Sequence, residues 1–412
     1  MRRRDAQRDD IRSNATQSRR AFLTPAVAVA LVAVLLALAL VLDAWWLENA
    51  SVEMNGVAEA SALAAGRALV TDDRLRDNVE ETWAGNVERA RRAALDMARR
   101  NQITGRRFPL HPYRDVRFGR LRWNGDGTAS FYDTAHHPAT VVVFVRRTRR
   151  NGNPIALFLR GLSGDPAAEL TRAAEATVDD CVVGVRPPAG GAIPMWPLAI
   201  AEFRESRNDG SPADLHCWHD QIDQRRGTDD YTFDEATQAV LRRPDGIPEL
   251  ILRCNLHGER TAASNVCIVD LGSRLRVDRL LRQFRDGIVA DDLKTTGGQL
   301  RLDAAPIAAN SYGGITPAIR GRLTADVGKC RIVLLYRARD ERDSNRPARV
   351  ECSRLVAGRV MDVRTNGDGE CEIIFQPGTL VTRAAVLAKK QIPEEQRSRY
   401  RNPCIYKLQL TN

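Results

Sequence analysis

Histidine and cysteine are the residues of this chain whose types and spacing come closest to a metal site. They are concentrated in His216-Cys217-Trp218-His219, where two histidines three residues apart could share a metal ion on one helical turn. A metal site needs one or two further ligands, and none is identifiable around this segment. The pair His136-His137 fails for another reason, because adjacent side chains of a strand point to opposite faces. We therefore predict no metal ion and no cofactor.

Two Asn-Gly-Asp-Gly sequences, beginning at Asn124 and Asn366, have a partial likeness to calcium-binding loops. A calcium loop needs further acidic or amide ligands and a terminal glutamate, which neither segment supplies. Each lies between segments of β-forming residues, so both are predicted to be hairpin turns. No phosphate-binding loop, G-x-S-x-G or H-E-x-x-H motif occurs in the sequence. We predict no catalytic residue and no enzymatic activity.

All eight cysteines lie after residue 180. An even number is compatible with disulfide bonds in an exported protein, although the connectivity cannot be deduced from sequence. Two pairs are close in sequence, each around a chain reversal: Cys254 with Cys267, and Cys352 with Cys371. We predict these four as possible disulfide residues, with buried thiols as the alternative.

The elements that would position such residues begin with an uncharged segment of 22 residues, Ala21 to Leu42. About 20 apolar residues form a helix that crosses the ~30 Å hydrocarbon core of a membrane. Arginine-rich flanks stay in the cytoplasm, and tryptophans lie at the interface. We predict a single-pass inner-membrane protein with a cytoplasmic N-terminus and with residues 44–412 outside the cytoplasm. The predicted membrane-boundary residues are Arg19, Arg20, Asp43, Trp45 and Trp46.

A cleaved signal peptide is the alternative interpretation, since small residues occur at Ala37-Leu38-Ala39 near the end of the apolar segment. Signal peptides have apolar cores of about 7–15 residues, and this segment is longer. We therefore expect the anchor to be retained.

The helical pattern continues beyond the apolar segment. Apolar and small residues repeat at steps of three and four, and this repeat predicts one helical face. Small residues allow close packing, either on the chain's own domain or on a partner helix. A second helix is predicted from Val79 to Met97. The predicted packing face of the first helix comprises Leu47, Ala50, Met54, Val57, Ser61, Ala64 and Ala68.

The remainder of the chain has the pattern of strands and turns. Alternating and β-branched residues predict strands at 117–123, 128–132 and 140–147, whereas 170–178 is ambiguous between helix and strand. Residues 184–197 are too rich in proline and glycine to predict regular structure. Later strands are predicted at 250–254, 267–271, 330–337, 359–364 and 372–376, with short helices at 273–286 and 317–325.

These elements predict an α+β protein: one transmembrane helix continuing into a helical stalk, then a mainly β region of two domains. The net charge of +10 includes the basic first twenty residues, and no basic stripe with interleaved aromatics predicts nucleic-acid binding. The predicted domains are a basic arm (1–20), the transmembrane helix (21–43), the stalk (44–104), a β-rich domain (105–200), a linker (201–230) and a C-terminal β-rich domain with short helices (231–412).

The order of features in residues 19–70 resembles the TadE/TadG-like proteins of Flp (tight-adherence) pilus assembly. The resemblance is carried by Arg19-Arg20, the apolar segment ending at Asp43, and the alanine-rich sequence from Val57 to Arg67. The chain departs from the family pattern at Glu59, Ser61 and Gly66, and it lacks the D-x-S-x-S motif of the von Willebrand A domain that many members carry. The resemblance implies an envelope protein with a pilin-like helix, whose partners are the lipid bilayer and other pilus or envelope proteins.

Two other functions are compatible with the sequence. The first is an anchored ectodomain that binds a surface ligand such as polysaccharide, independent of any pilus. The second is an envelope hydrolase with an unrecognised site, for which a deep polar cleft with clustered carboxylates would be the expected sign.

Overall fold

The computed structural model describes residues 6–77, 79–123, 128–158, 166–203, 216–255, 264–272, 276–312, 314–339, 348–365, 370–388 and 398–411. Over these residues the chain is α+β, with a long N-terminal helix followed by a mainly β region, as the sequence predicts. The helices are α1 (Ala6–Ala68), α2 (Val79–Arg100), α3 (Val277–Asp286) and α4 (Pro317–Ala325).

The strands of the first half of the chain are β1 (Gln102–Ile103), β2 (Arg106–Arg107), β3 (Val116–Trp123), β4 (Ala129–Asp133), β5 (Thr140–Arg147), β6 (Ile155–Ala156), β7 (Ala167–Ala168), β8 (Leu170–Asp179), β9 (Val182–Val185) and β10 (Met195–Ala201). Those of the second half are β11 (Thr232–Asp234), β12 (Ala239–Leu241), β13 (Leu250–Asn255), β14 (Val266–Asp270), β15 (Leu300–Arg301), β16 (Ile307–Tyr312), β17 (Cys330–Arg339), β18 (Ala348–Thr365), β19 (Glu370–Pro377), β20 (Leu380–Val381), β21 (Ala385–Leu387) and β22 (Ile405–Leu410).

Helix α1 has 63 residues and is therefore about 95 Å long. From Val27 to Leu42 its large apolar side chains other than Leu36 are exposed, for example Val29 at 70% and Leu38 at 55%. The helix from Val27 to Ala68 is long and apolar enough to cross a membrane. From Ala50 onward the same helix is part of a hydrophobic core. One helix thus has an exposed apolar section followed by a section packed on the rest of the protein.

The packed half of α1 lies against α2 and against an antiparallel sheet. That sheet has the strand order β20-β22-β8-β5-β3-β4, in which only the β20–β22 pair is parallel. The segment that was ambiguous between helix and strand is β8, because it pairs over eight residues with β5. Alternate residues of β8 are buried from Ala174 onward, as expected of a strand with one face on the core.

The second core lies inside a closed five-stranded barrel. The pairing runs β10–β14–β16–β18–β17 and returns to β10, with a single parallel pair, β10–β17. Strand β18 is long enough to leave the barrel and pair with β19, which in turn pairs with β13. Helices α3 and α4 pack against one another and against β10 and β18.

Two features of this arrangement differ from the sequence predictions. Residues 184–197 were predicted to lack regular structure, but they contain the end of β9 and the start of β10. Pro197 is accommodated where the pairing of β10 with β17 shifts register, since proline has no N–H to donate to a ladder. Strand pairing also crosses the domain boundaries that were predicted at residues 200 and 231. Strand β10 belongs to the barrel, and β22, near the C-terminus, is part of the first sheet.

A buried ion pair joins the two cores. Asp72, in the turn after α1, pairs with Arg359 of β18, whose side chain is 8% exposed. The other carboxylate oxygen of Asp72 accepts hydrogen bonds from the backbone N–H of Thr379 at 2.6 Å and from its hydroxyl at 2.8 Å. Arg225 adds a second link by donating to the carbonyl of Leu75 at 3.0 Å. The end of α1 is therefore fixed to the barrel.

A second buried carboxylate holds the chain at the start of β13. Glu249 is 1% exposed and accepts hydrogen bonds from the backbone N–H groups of Asp230 and Tyr231 and from the hydroxyl of Thr228. Burial nevertheless raises the pKa of Glu249 from 4.5 to about 7, because the desolvation of the charged form outweighs these bonds.

Because small residues pack closely between α1 and α2, a larger side chain at this contact is expected to destabilise the fold. Ala94 of α2 is fully buried, so Ala94→Leu is expected to lower the free energy of unfolding by about 1–3 kcal/mol through overpacking. Ala84→Leu in the same helix is exposed and is expected to have little effect, since alanine and leucine have similar helix propensities. Urea unfolding of the full chain in detergent, followed by circular dichroism, measures both; equal effects would contradict the close packing.

Glu249 predicts a pH dependence of stability. Its pKa is higher in the folded than in the unfolded chain, so the folded state binds more protons between pH 4.5 and 7. Stability is therefore lost as pH rises through this window. Glu249→Gln should flatten the melting-temperature profile there and leave the protein relatively more stable at pH 7, since the amide oxygen can still accept from Asp230 and Tyr231. Glu235→Gln, at an exposed position, is the control. Parallel profiles for wild type and Glu249→Gln would contradict the assignment.

Candidate functional site

The candidate site is a cleft of about 430 Å³ at the end of the first sheet, beside the turn that follows α1. It is built from six segments of the chain: this turn, the start of α2, strand β3, the residues from the β4–β5 connection to the start of β5, the end of β8 with the residues after it, and the C-terminal segment. Its lining residues are Arg74, Trp83, Arg120, Leu121, His137, Pro138, Ala139, Thr140, Thr177, Val178, Asp179, Asp180, Cys181, Arg401, Pro403, Tyr406, Gln409 and Thr411.

Arg74 is the central cation of one wall of the cleft and contacts residues from several segments. Its guanidinium lies 4.9 Å from the ring centre of Trp83 and 5.2 Å from that of Tyr406, so it makes two cation–π contacts. It also donates to the carbonyl oxygens of Leu69 at 3.0 Å and of Pro138 at 3.3 Å. These contacts fix the wall, because each partner belongs to a different segment.

The aromatic groups of this wall are largely buried. Trp83 is 5% exposed, and its indole N–H has no hydrogen-bond partner among the described residues. Its ring meets that of His137 edge-on, with 4.5 Å between the ring centres. Burial raises the pKa of Tyr406 to about 12, and its hydroxyl donates to the carbonyl of Pro403 at 2.8 Å. Tyr406 therefore stays neutral at physiological pH.

Another part of the lining carries two adjacent carboxylates, Asp179 and Asp180. Asp179 accepts the backbone N–H of Cys181 at 2.9 Å, and the Cys181 thiol lies 3.7 Å from a carboxylate oxygen of Asp180. Burial raises the pKa of Asp180, and the positive charge of Arg401 opposes that rise. Arg401 is exposed at the rim, as is Arg120, whose guanidinium donates to the carbonyl of His137 at 2.7 Å.

The lining also contains a row of three threonine hydroxyls. The hydroxyls of Thr140 and Thr177 are 3.2 Å apart across the β5–β8 pair, and the hydroxyl of Thr411 is 2.7 Å from that of Thr177. Such hydroxyls can donate or accept, so they suit a ligand that carries hydroxyl or carbonyl groups. The cleft therefore combines cations, carboxylates and neutral hydrogen-bonding groups.

The two carboxylates do not have the geometry of a glycosidase pair. In such enzymes the carboxyl groups face one another across the cleft, about 5–5.5 Å or 6.5–9.5 Å apart. The ligand atoms of Asp179, Asp180 and Cys181 all lie within 4.8 Å of one another, on one wall. A cation at this trio would also compete with Arg401 for Asp180. The arrangement fits the binding of a polar ligand better than hydrolysis or metal binding.

The predicted membrane-boundary residues cluster in part. Asp43 is 7% exposed and accepts the backbone N–H of Phe158 at 2.7 Å. The ring of Trp46 meets that of Phe158 edge-on at 5.7 Å, whereas Trp45 is 69% exposed and Phe158 is 66% exposed. Two exposed aromatic residues, Trp45 and Phe158, and the half-buried Trp46 therefore lie directly after the apolar section of the helix. Arg19 and Arg20 lie in α1, but their side chains are outside the described part of the chain.

The predicted packing face of α1 lies on the chain's own domain. Ala50, Met54, Val57 and Ser61 are buried there, whereas Leu47, Ala64 and Ala68 are half-buried. The deepest contacts also include residues outside the predicted face, because the helix is covered by α2 on one side and by the sheet on the other. These additional buried residues are Ala58, Ala62, Ala65 and Leu69.

The structure holds all eight cysteines as thiols. Of the four predicted disulfide residues, Cys254 and Cys371 lie directly opposite one another on β13 and β19. Cys267 and Cys352 both belong to the barrel core. Formation of disulfide bonds stays a prediction.

The histidines of both segments make contacts with other residues of the fold. His219 begins a short helix and lies 3.7 Å from the carboxylate of Asp223, while the backbone carbonyl of His216 accepts from Asn265 at 2.6 Å. His136 and His137 were expected to point to opposite faces of a strand. This was wrong, because they lie in a bend before β5 with their rings 4.3 Å apart. Both predicted Asn-Gly-Asp-Gly turns lie outside the described residues.

The cleft itself is absent from the sequence predictions. Its arginines, aspartates and threonines are common surface residues, and no local spacing marks them. The one available signal was Asp179-Asp180-Cys181 at the end of a β segment, which places two carboxylates beside the first cysteine of the chain.

No protein-family model, curated protein or solved structure matches this chain.

Proposed function

We propose that the chain is a non-enzymatic protein anchored in the inner membrane of a bacterial envelope, where it is an accessory or structural component of a tight-adherence (Flp-type) pilus. The observation that carries the proposal is α1. Its section from Val27 to Leu42 exposes a continuous apolar surface, and its residues from Ala50 onward are part of a hydrophobic core.

The exposed section of α1 requires an apolar environment. Water would contact every large side chain from Val27 to Leu42, over a surface far larger than the apolar patches that soluble monomers expose. The uncharged segment from Ala21 to Leu42 is about 33 Å long as a helix, which matches the ~30 Å hydrocarbon core. A bilayer therefore covers it without any further partner.

The flanks support one orientation. Arginines concentrated in the first twenty residues favour a cytoplasmic N-terminus, because positively charged flanks are retained on that side. Trp45, Trp46 and Phe158 follow the apolar section, where amphipathic and aromatic rings occupy the opposite interface. The domains after residue 43 then lie outside the cytoplasm.

The pilus assignment rests on the resemblance of residues 19–70 to TadE/TadG-like proteins and on the form of α1. A long helix that is apolar at one end and packed on an antiparallel sheet at the other is compatible with the pilin-like element implied by that resemblance. Such a helix couples a folded domain rigidly to a membrane or to a fibre.

Anchoring is testable separately from the pilus. The double substitution Val34→Arg with Leu35→Arg places two charges near the bilayer centre, each of which costs about 2.5–3.5 kcal/mol for insertion. We expect the protein to shift from the alkaline-washed membrane fraction to the soluble fraction. Asn55→Arg, exposed on the same helix beyond the bilayer, should leave it in the membrane. Retention of the double variant would contradict a transmembrane α1.

The pilus role is measured by the yield of sheared surface pili from a strain lacking the gene. We expect pili to be lost and to be restored by the full-length chain. Restoration by exported residues 44–412 alone would contradict a role that requires the membrane helix. Unchanged pili in the deletion strain would overturn the pilus assignment while leaving the anchor intact.

The cleft favours a second candidate function, the binding of a surface polysaccharide by an anchored ectodomain. Arg120 and Arg401 are exposed lining residues, and the threonine hydroxyls belong to the same lining. Guanidinium groups bind carboxylate and phosphate groups through paired charge-assisted hydrogen bonds. The cleft therefore suits a polysaccharide with acidic substituents.

Binding of acidic polysaccharide to the full chain in lipid nanodiscs tests this function. Arg120→Ala combined with Arg401→Ala is expected to weaken binding by about tenfold or more, because charge-assisted bonds are lost. Arg383→Ala, exposed and outside the cleft lining, is the matched control. A neutral polysaccharide should bind more weakly than the acidic one. Equal binding by wild type and the double variant would contradict a role for the cleft.

A further inference from the structure

The open end of the β13–β19 pair carries two thiols in a position to be joined. Cys254 and Cys371 are direct partners in the antiparallel register. Directly opposed residues of such a pair have Cα atoms about 4.5–5.5 Å apart, within the range of about 4.4–6.8 Å found for disulfides. The Cys254 sulfur lies 3.5 Å from the carbonyl oxygen of Cys371. Both residues are buried, at 2% and 0% exposure.

We propose that Cys254 and Cys371 are the partners of a disulfide bond that joins β13 to β19 when the protein folds under oxidising conditions. This pairing uses the two cysteines that sequence proximity assigns to different partners, Cys267 and Cys352. Those two belong to barrel strands, where Cys267 is the register partner of Ala199 and Cys352 that of Ile307. Proximity in sequence is therefore misleading for these cysteines. Strand β19 brings Cys371 beside Cys254 of β13, although the two residues are more than a hundred positions apart in the sequence.

The local chemistry supports the reaction. The hydrogen bond from the Cys254 thiol lowers the pKa of the Cys371 thiol, which favours the thiolate needed for attack. By contrast, burial raises the pKa of Cys404 to about 11 and that of Cys352 still further. Among these residues, Cys371 is the one whose environment favours ionisation.

The bond forms by two thiol–disulfide exchanges. The Cys371 thiolate attacks an accepting disulfide, either of an envelope thiol oxidase or of oxidised glutathione, and releases one of its thiols. The Cys254 thiolate then attacks the Cys371 sulfur of the mixed disulfide and releases the second. The protein loses two protons and two electrons, and the acceptor disulfide becomes two thiols. Because both sulfurs are buried in the complete fold, the exchange takes place after β13 and β19 have paired, which brings the two thiols together, and before the rest of the protein covers the pair.

The test is peptide mapping of the full chain, synthesised into lipid nanodiscs in a buffer of oxidised and reduced glutathione. Remaining thiols are alkylated before digestion without reductant. We expect a linked peptide pair carrying Cys254 and Cys371. Cys254→Ser should leave Cys371 alkylated, whereas Cys181→Ser should leave the linked pair unchanged. The wild-type map decides the matter even if a variant fails to fold.

Two results would overturn the pairing: alkylation of both cysteines in wild type, or linkage of Cys254 to Cys267. The proposal draws on the proposed location outside the cytoplasm only for its oxidant in the cell. Linkage in the glutathione buffer, together with alkylated thiols in protein isolated from cells, would support the pairing and count against that location. The experiment therefore distinguishes a wrong pairing of the cysteines from a wrong location of the domain.

Discussion

The constraint on which the structure depends is that one unbroken helix has to satisfy two environments. The exposed valines and leucines of α1 before Asp43 need a medium as apolar as themselves, whereas its small residues after Ala50 are covered by α2 and the sheet. No turn or break separates the two sections. The folded domain is therefore held at a fixed distance and rotation relative to the apolar section, and Asp43 strengthens this link by binding the backbone at Phe158.

The same rigidity extends into the barrel through buried charge. Asp72 lies four residues after the end of α1. Its carboxylate pairs with the guanidinium of Arg359 and accepts two hydrogen bonds from Thr379. Removing one member of a buried pair leaves an uncompensated charge, so the cost of breaking such a junction exceeds the gain from forming it. Strand β22 adds a second connection, since the C-terminal segment returns from the barrel to extend the first sheet. The two cores are thus connected both by the ion pair of Asp72 with Arg359 and by the path of the chain into β22.

Sequence periodicity predicted the elements that are determined locally. Helix α4 was predicted at its observed bounds, and β5 likewise, because a helical start signal at Thr316-Pro317 and a β-branched run need no distant partner. The elements that were missed depend on distant pairing. Strand β10 contains a proline and is held by β14 and β17, and β8 is a strand because β5 and β22 flank it. The cleft was missed for the same reason, since its six segments meet only in the fold.

The length of α1 also limits what the cleft can bind. From Asp43 to Ala68 the helix extends about 39 Å, and the cleft begins at Arg74, just beyond its end. With α1 along the bilayer normal, the cleft lies roughly four Debye lengths from the lipid surface at 0.1 M salt, so its arginines have no electrostatic interaction with headgroups. In that arrangement the aromatic residues near Asp43 lie at the surface instead. Under the proposed anchoring, the cleft is thus accessible to a soluble molecule or an extended polymer and not to lipid, which is consistent with the proposed polysaccharide ligand.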